Sequence, residues 1–351
     1  MIKKAILWKK DAGDRVICTA CARYCHIPNG SNGFCFVRKN ISGELYLINY
    51  GNLSAIQIDP IEKKPFNHFR PGSWVLGVGT DSCNFDCAFC QNHAISKEKE
   101  INQTYISPED LIEMAIANKV DGIAFTYNEP TIFIEYALDV AELAKEKGLF
   151  TLFVSNGYMT KEAVEAIKGK IDAVVVDFKG NGEQKFMNKY EVVPREEPIK
   201  ETLINLKKAG IHVEITDLVV PKVGDSLEAA DSLTKWIADN LGKETPIQFT
   251  RFYPDYKMYN YPYTSVESLE EHYKIAKKNG LKFVYIGNVP GNKHESTYCP
   301  DCGEEVIKRN GFVISRWNLD SDNRCKKCGY KIPIEGTYKK NPYHKAIESF
   351  Y

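Results

Sequence analysis

The sequence predicts an α/β protein with a parallel sheet at its centre and a small cysteine-rich module on each side. Between residues 72 and 290, short apolar runs alternate with amphipathic segments. The runs are apolar throughout, which is typical of parallel strands buried on both faces. They are WVLGVGT (74–80), GIAFTY (122–127), FTLFVS (150–155), AVVVDF (173–178), VEITDLVV (213–220), PIQFTRF (246–252) and KFVYIGN (282–288). Repeated βα units indicate a doubly wound sheet or a full or partial (β/α) barrel, and both place ligands at the carboxyl ends of the strands.

The segments between the strands carry the signals of helix ends. Ser107 is a predicted N-cap followed by Pro108 in the first turn. A second helix is predicted from near Thr131 to a stop at Gly148, and a third begins near Ser226. These helices supply the connections that a parallel sheet requires.

The chain is predicted to have three parts. Residues 1–72 carry one cysteine group and a hairpin predicted from ELYLINY and SAIQID. Residues 73–290 form the βα core, and residues 291–351 carry the last cysteine group and a basic, aromatic tail. The two flanking parts are predicted to be small metal-stabilised modules, because neither is long enough to bury a large core of its own.

Composition narrows the class of protein without naming a partner. The 351 residues are 43% hydrophobic and 26% charged, which describes a globular chain. Lys plus Arg (46) equals Asp plus Glu (46), so the charge predicts neither nucleic acid nor an anionic membrane surface as a partner. No run approaches the ~18 apolar residues of a membrane span, and the start MIKKAILWKKDAGDR lacks an export signal. We therefore expect a cytoplasmic protein.

The eleven cysteines are an odd number and cannot all form intramolecular disulfides. In a reducing cytoplasm, clustered cysteines are typically metal ligands. They fall into three groups: Cys18, Cys21, Cys25 and Cys35; Cys83, Cys87 and Cys90; and Cys299, Cys302, Cys325 and Cys328. These groups of four, three and four cysteines account for all eleven.

The central group follows the first predicted core strand in the segment GTDSCNFDCAFCQN. Three thiolates at CX3CX2C spacing suit three corners of a [4Fe-4S] cluster, whose fourth iron then stays open to a small molecule. The alternative is a closed zinc site with His93 as the fourth ligand. Position and spacing together favour the cluster.

These residues resemble the signature of radical S-adenosylmethionine enzymes. More narrowly, the chain is similar to the AmmeMemoRadiSam group, which is related to pyruvate formate-lyase-activating enzymes. The shared segments are CNFDCAFCQN, FTYNEP (125–130), SNGY (155–158), VVDFKG (175–180), RFYPDYKM (251–258), GNVPG (287–291) and the terminal CPDC and CKKC pairs.

The resemblance implies a partial (β/α)6-type barrel and a cluster held by Cys83, Cys87 and Cys90. In that family the cluster binds S-adenosylmethionine, takes an electron from a donor such as ferredoxin or flavodoxin, and cleaves the sulfonium to a 5′-deoxyadenosyl radical that abstracts hydrogen from a substrate. Here the substrate is unnamed, and a protein is one candidate. The protein itself supplies binding and orientation.

The resemblance also implies cofactor contacts at the ends of the second to fourth strands. Relatives often have Gly-Gly-Glu after the second strand, but the glycines are absent here and only Glu129 matches, with Thr126 and Asn128 beside it. The NEP tripeptide is also typical of a helix entry with Asn128 as the cap.

Two further pairs follow the next strands. Ser155 and Asn156 resemble the polar pair that meets the ribose and carboxylate of S-adenosylmethionine. Asp177 and Lys179 match an Asp-x-Lys of the activating enzymes, or else form a surface ion pair of little energetic value. Asp217 is a weaker candidate.

The outer groups are predicted to be four-thiolate sites. Cys299, Cys302, Cys325 and Cys328 form two CX2CG turns around a hairpin, which predicts a zinc ribbon or a rubredoxin-like iron site with a mainly structural role. The CX2CX3CX9C group at Cys18, Cys21, Cys25 and Cys35 suits a zinc site and an auxiliary iron–sulfur cluster equally well.

Three functions follow from these patterns. The first is a radical S-adenosylmethionine enzyme with an unidentified substrate. The second is its activase version, which installs a glycyl radical in a partner enzyme. The third is a metal-stabilised nucleic-acid-binding protein, against which the zero net charge and the lack of a long basic run argue.

Overall fold

The computed structural model describes residues 1–101 and 104–340, so the end of the predicted tail, residues 341–351, lies outside the described residues. The first part of the chain contains seven short strands: Lys3–Lys4 (β1), Trp8–Lys10 (β2), Val16–Cys18 (β3), His26–Ile27 (β4), Arg38–Ile41 (β5), Glu44–Leu47 (β6) and Ala55–Pro60 (β7). Strands β1, β6 and β5 form one small sheet, and β2, β3 and β4 form another.

The core is an eight-stranded sheet in which seven neighbouring strands are parallel. The parallel strands are Trp74–Gly79 (β8), Gly122–Phe125 (β9), Phe150–Ser155 (β10), Ala173–Lys179 (β11), His212–Val219 (β12), Ile247–Arg251 (β13) and Val284–Gly287 (β14). Each coincides with a predicted strand. The sheet order follows the chain order from β8 to β14, which gives an open, partial barrel rather than a doubly wound sheet.

Helices connect consecutive parallel strands. They are His93–Ser96 (α1), Pro108–Ala117 (α2), Ile134–Glu146 (α3), Lys161–Ile167 (α4), Gln184–Phe186 (α5), Glu197–Lys208 (α6), Leu227–Asn240 (α7) and Val266–Lys278 (α8). The predicted caps are confirmed, because the Ser107 side chain accepts a hydrogen bond from the Asp110 N–H and Ser226 accepts one from Ala229. The helical connections match the predicted (β/α)6-type barrel, and β14 adds a seventh parallel strand. Within the described ranges, no helix is long and apolar enough to cross a membrane.

The predicted hairpin near residues 44–59 is wrong in its pairing. Strand β6 pairs with β5 through a turn at Ser42 and Gly43, whose φ angles of 53° and 82° suit a tight hairpin turn. The SAIQID segment instead forms β7, which pairs antiparallel with β8. Strand β7 thereby covers an edge of the core sheet that would otherwise be exposed.

The predicted ribbon hairpin is confirmed. Strands Thr297–Tyr298 (β15), Glu305–Asn310 (β16) and Val313–Trp317 (β17) form an antiparallel sheet. Its apolar face packs on the last core strand through a cluster that includes Tyr285, Ile307 and Ile332. The ribbon is therefore attached to the β14 edge of the core.

A buried histidine links the C-terminal segment to the core. His212 lies 3.1 Å from a Glu214 carboxylate oxygen and 3.2 Å from one of Glu335. Burial alone would lower the pKa of His212, but hydrogen bonds to the two carboxylates outweigh burial and raise it to about 9. Since a raised pKa stabilises the fold below the unfolded value of 6.5, this stabilisation is lost as the pH rises through about 9.

We expect the wild-type protein to lose up to about 3 kcal/mol of stability between pH 7 and 10 from this group, at about 1.4 kcal/mol per pKa unit. The half-exposed Glu335 reduces that figure through solvent screening. Denaturant unfolding at several pH values measures it, with His212→Gln as the comparison. If the free energy of unfolding changed equally with pH in the two proteins, this prediction would be contradicted.

Candidate active site

A cavity of about 450 Å³ opens at the carboxyl ends of the parallel strands. The ten residues predicted for the central site all line it: Cys83, Cys87, Cys90, Thr126, Asn128, Glu129, Ser155, Asn156, Asp177 and Lys179. They come from the loops after β8 and β9 and from the ends of β10 and β11. The cavity lies where the carboxyl-end rule places the ligand in such folds.

The loop that carries the cysteines is held by the loop after β9. The Asn128 side chain donates to Ser82 O (2.9 Å) and Thr80 Oγ1 (3.0 Å) and accepts from the Thr80 N–H (3.2 Å). The two loops approach closely because Gly79 has no side chain, since a Cβ there would lie 2.6 Å from Thr126 O. Asn128 is therefore a positioning residue for the cysteine loop. The prediction that it caps the next helical turn is wrong, because the Glu129 side chain caps that turn by accepting from the Thr131 N–H.

The other side of the cysteine loop is fixed by a single π-helical turn, Met187–Glu191. Backbone carbonyls of this turn accept hydrogen bonds from the Asp86 and Ala88 N–H groups at 3.0 and 2.7 Å. The Glu191 carboxyl lies 3.9 Å from Cys87 Sγ, and burial raises its pKa to about 8. Sequence reasoning missed Glu191, because it follows Cys87 by more than a hundred residues.

Positive charge lies next to the cysteines. Burial raises the pKa of Cys83 to about 12 and that of Cys87 well above its usual value, so a metal must displace their protons. Lys97 also lines the cavity and donates to Phe85 O at 3.2 Å. Burial disfavours its ammonium, but the negative charges of the three cysteine thiolates and of Asp86 outweigh burial and raise the pKa of Lys97. An anionic group held by these cysteines would therefore have Lys97 as a counter-charge.

Glu129 is buried and connects the ends of β9 and β10. One carboxylate oxygen accepts from Thr131 N (3.0 Å), Thr131 Oγ1 (2.5 Å) and Ser155 Oγ (2.9 Å), and the other from Asn156 N (2.8 Å). Burial raises the pKa of Glu129, while these donors act in the opposite direction. The second oxygen has a single protein donor, although a carboxylate oxygen can accept more than one, and Glu129 lines the cavity.

We expect Glu129→Gln to destabilise the protein by about 1–3 kcal/mol, because an amide NH₂ would face one of these donors. Urea unfolding of the apoprotein measures the loss. The matched control is Glu146→Gln at the exposed end of α3, which should change stability little. An equal effect of the two substitutions would contradict the role of Glu129 as a buried acceptor.

Asn156 connects to the cysteine loop. Its side-chain amide donates to Asn84 Oδ1 at 2.7 Å, and Asn84 is the neighbour of Cys83 in the chain. The Asn84 Nδ2 atom is buried and has no hydrogen-bond partner. Asn84 was not predicted, and the only sequence signal for it is its place inside the cysteine motif.

Asp177 and Lys179 form an ion pair inside the cavity, with Lys179 Nζ 2.8 Å from Asp177 Oδ2. Thr216 Oγ1 donates to the other Asp177 oxygen. Burial works against the Lys179 ammonium, but Asp177 and Glu191 outweigh burial and raise its pKa. The pair therefore lines the cavity, with the Lys179 side chain 15% and the Asp177 side chain 36% exposed.

Two weaker candidates lie outside the cavity lining. His93 stacks on Tyr256 and lies 3.6 Å from Asp255, and it forms no ligand group with the central cysteines in the described part of the chain. Its ring therefore has partners other than the central cysteines. Asp217 accepts from the Asn181 N–H at 3.0 Å and is fully buried.

A further part of the cavity lining was largely unpredicted. It is formed by residues from the connector before β8, the last core strands and the ribbon, namely Glu62, Lys64, Gln248, Arg251, Tyr253, Asn288 and Phe312. Phe312 lies in the turn between β16 and β17. The ribbon therefore contributes to the cavity wall as well as stabilising the chain end.

The four ribbon cysteines converge as ligands of one ion do. Their sulfurs all lie within 4.8 Å of one another, with Cys299 and Cys328 3.4 Å apart and Cys302 and Cys325 3.7 Å apart. Tetrahedral zinc with Zn–S bonds of about 2.3 Å places its sulfurs about 3.8 Å apart. This group could bind a single metal ion.

The fold and the cavity define the class of protein. A partial barrel with three cysteines in the loop after its first parallel strand is the arrangement of radical S-adenosylmethionine enzymes, and residues 78–236 match the Radical SAM superfamily. The chain belongs to this superfamily and is related to a putative glycyl-radical enzyme activating enzyme.

Relatives extend the match over nearly the whole chain. An uncharacterized protein of Methanocaldococcus jannaschii is 42% identical over 95% of this chain and 99% of its own length. A putative glycyl-radical enzyme activating enzyme of the same organism is 30% identical over 59% of this chain and 84% of its own length. A solved domain of pyruvate-formate lyase-activating enzyme from Bacteroides vulgatus aligns with 48% of this chain and 99% of that domain, at a TM-score of 0.42 and 18% identity.

Membership of the superfamily implies a [4Fe-4S] cluster and S-adenosylmethionine as cofactors. The residues present fit both. Cys83, Cys87 and Cys90 line the cavity together with Lys97. In the described part of the chain, their three sulfurs do not all lie within 4.8 Å of one another. Such spacing suits a group larger than one ion, and the whole cavity of about 450 Å³ lies within the size range of small-molecule sites.

Proposed function

We propose that Cys83, Cys87 and Cys90 hold the [4Fe-4S] cluster and that this chain uses it to cleave S-adenosylmethionine reductively. The bound cofactors supply one-electron cleavage of the sulfonium to a 5′-deoxyadenosyl radical. The observation that carries the proposal is that all ten predicted residues line one cavity at the carboxyl ends of the strands. The chain's own groups bind, orient and exclude water.

The roles of the polar residues follow from their contacts. Glu129 offers its less occupied oxygen to the ammonium of S-adenosylmethionine, with Thr126 beside it. Ser155 is fixed by Glu129 and faces the cavity near the ribose. Asn128 and Asn156 position the cysteine loop, since their amide groups are occupied by that loop.

We assign the substrate to the part of the cavity lined by the last core strands and the ribbon. Arg251, Tyr253, Gln248 and Phe312 are among its lining residues. Asp177 and Lys179 line the same cavity and are candidates for contact with either cofactor or substrate. A protein segment with a mixed polar and apolar character is the substrate class that fits this part of the cavity.

Anaerobic reconstitution tests the proposal. Protein loaded with iron and sulfide is mixed with dithionite and S-adenosylmethionine, and 5′-deoxyadenosine is measured. We expect its release, together with a [4Fe-4S] absorption that bleaches on reduction. A fully loaded protein that leaves S-adenosylmethionine intact would overturn the proposal.

The activase version is a second candidate, favoured by the 30% identity to a putative glycyl-radical enzyme activating enzyme. It predicts a stable glycyl radical in a partner protein after incubation with the loaded enzyme. Electron paramagnetic resonance of mixtures with glycyl-radical candidates from the source genome tests it. A source genome without such a protein would rule this version out while leaving the first proposal intact.

A further inference from the structure

The N-terminal cysteines surround a small cavity of their own. Cys18, Cys21, Cys25 and Cys35 all line it, together with apolar side chains such as Ile27. Three of the four are buried and Cys25 is partly buried. Burial raises the pKa of Cys35 to about 11.

The spacing of these thiols differs from that of the ribbon. Within the described residues, no three of the N-terminal ligand atoms lie within 4.8 Å of one another, whereas the four ribbon sulfurs do. The ribbon is an internal standard for a one-ion site in the same chain. The wider N-terminal arrangement is shared with the central cysteines, and an iron–sulfur cluster is larger than one ion.

Two buried donors without partners line the same cavity. Arg38 is 1% exposed, donates to Ile132 O and pairs with Glu135 at 2.6 Å, but its Nη1 has no partner. Asn84 is also 1% exposed, and its Nδ2 has no partner. Since unpaired buried donors are costly, they indicate an acceptor that belongs in the cavity. Thiolate and sulfide sulfurs of an anionic cluster are such acceptors.

Asn84 joins this cavity to the central site. Asn84 lines the N-terminal cavity, while its Oδ1 accepts from Asn156 and lies 3.7 Å from Cys83 Sγ. On the opposite side, Phe34 lines the N-terminal cavity and is 37% exposed. The site therefore extends from near the surface to the first cysteine of the central loop.

We propose that Cys18, Cys21, Cys25 and Cys35 hold a closed iron–sulfur cluster that passes one electron at a time through the Asn84 contact to the central cluster. Four protein thiolates leave no open iron, so this cluster binds no substrate. A reduced ferredoxin or flavodoxin is oxidised by one electron, and the N-terminal cluster is reduced and then reoxidised by the central cluster. The relay rests on the proposed function, but the presence of the cluster does not.

Sulfide content tests the cluster. One [4Fe-4S] cluster accounts for about four acid-labile sulfides, so we expect wild-type protein to hold clearly more than four per chain. A variant with Cys83, Cys87 and Cys90 all changed to alanine should retain sulfide and iron. A further variant that also carries Cys21→Ala and Cys25→Ala should hold none. The matched control, Cys302→Ala in the ribbon, should keep the wild-type sulfide content.

Two results together would overturn the proposed N-terminal cluster. The triple variant would hold zinc and no sulfide, and the wild type would hold no more than four sulfides per chain. Because wild-type sulfide is measured without any substitution, misfolding of a variant cannot decide the result. Electron paramagnetic resonance of the reduced wild type tests the relay. We expect the wild-type signal to be broader, or to relax faster, than the added signals of the two variants that each hold one cluster. A wild-type signal equal to that sum would overturn contact between the clusters.

Discussion

Cys87→Ala protein is expected to form no 5′-deoxyadenosine from S-adenosylmethionine under conditions in which the wild type forms it. Cys87 is buried in the loop after β8 and lines the cavity with Cys83 and Cys90. A three-cysteine cluster that already leaves one iron open cannot lose another ligand and keep its geometry. The measurement is 5′-deoxyadenosine per chain by chromatography after anaerobic reconstitution.

His93→Ala is the matched control for this experiment. His93 lies in the same loop region but outside the cavity lining, and it stacks on Tyr256. We expect it to retain both the cluster absorption and the cleavage. Cleavage by the Cys87 variant at the wild-type rate would refute the ligand assignment.

Loss of the ribbon metal is expected to have the second largest effect. Metal binding at a structural four-cysteine site contributes on the order of 10 kcal/mol to folding, because the site does not exist in the unfolded chain. We expect Cys302→Ala to release one metal ion per chain and to make residues 291–340 sensitive to protease. Metal analysis and limited proteolysis measure the two changes.

The ribbon variant also separates structure from catalysis. Phe312 would leave the cavity wall, while the cysteine loop and Glu129 belong to other elements of the lining. Cleavage of S-adenosylmethionine should therefore persist, but its coupling to substrate should fall. Lys308→Ala, on the exposed side of the same hairpin, is the control and should keep the metal. A protease-resistant Cys302 variant with its metal lost would contradict the structural role.

The parallel core could be predicted because its signal is local. Seven runs of continuous apolar residues became β8 to β14, and serine caps fixed the starts of α2 and α7. The ten central site residues could be named because the cysteine spacing and the resemblance to radical S-adenosylmethionine enzymes single them out, and parallel strands bring the ends of β8 to β11 to one edge. Their roles as ligands and cofactor contacts remain predictions.

Contacts between distant segments could not be predicted. The predicted strand partner of the SAIQID segment was wrong. Both β6 and β8 offer an apolar strand, but the turn at Ser42 and Gly43 pairs β6 with β5, and SAIQID pairs with β8. Glu191, Lys97 and Phe312 carry no motif, and they matter only because folding places them beside the cysteines or on the cavity wall.

The sequence by itself determined the number of thiols in each group and the order of strands and helices. Its cysteine spacing also indicated the radical S-adenosylmethionine superfamily. Only the tertiary structure decided how far apart the thiols stand and which donors face them. Spacing along the chain limits the ligands that a loop can offer, but the size of a metal site depends on side-chain positions in three dimensions. The ribbon thiols thus converge to the size of one ion, while the N-terminal thiols, which share their cavity with the unpartnered Arg38 Nη1 and Asn84 Nδ2 atoms, do not.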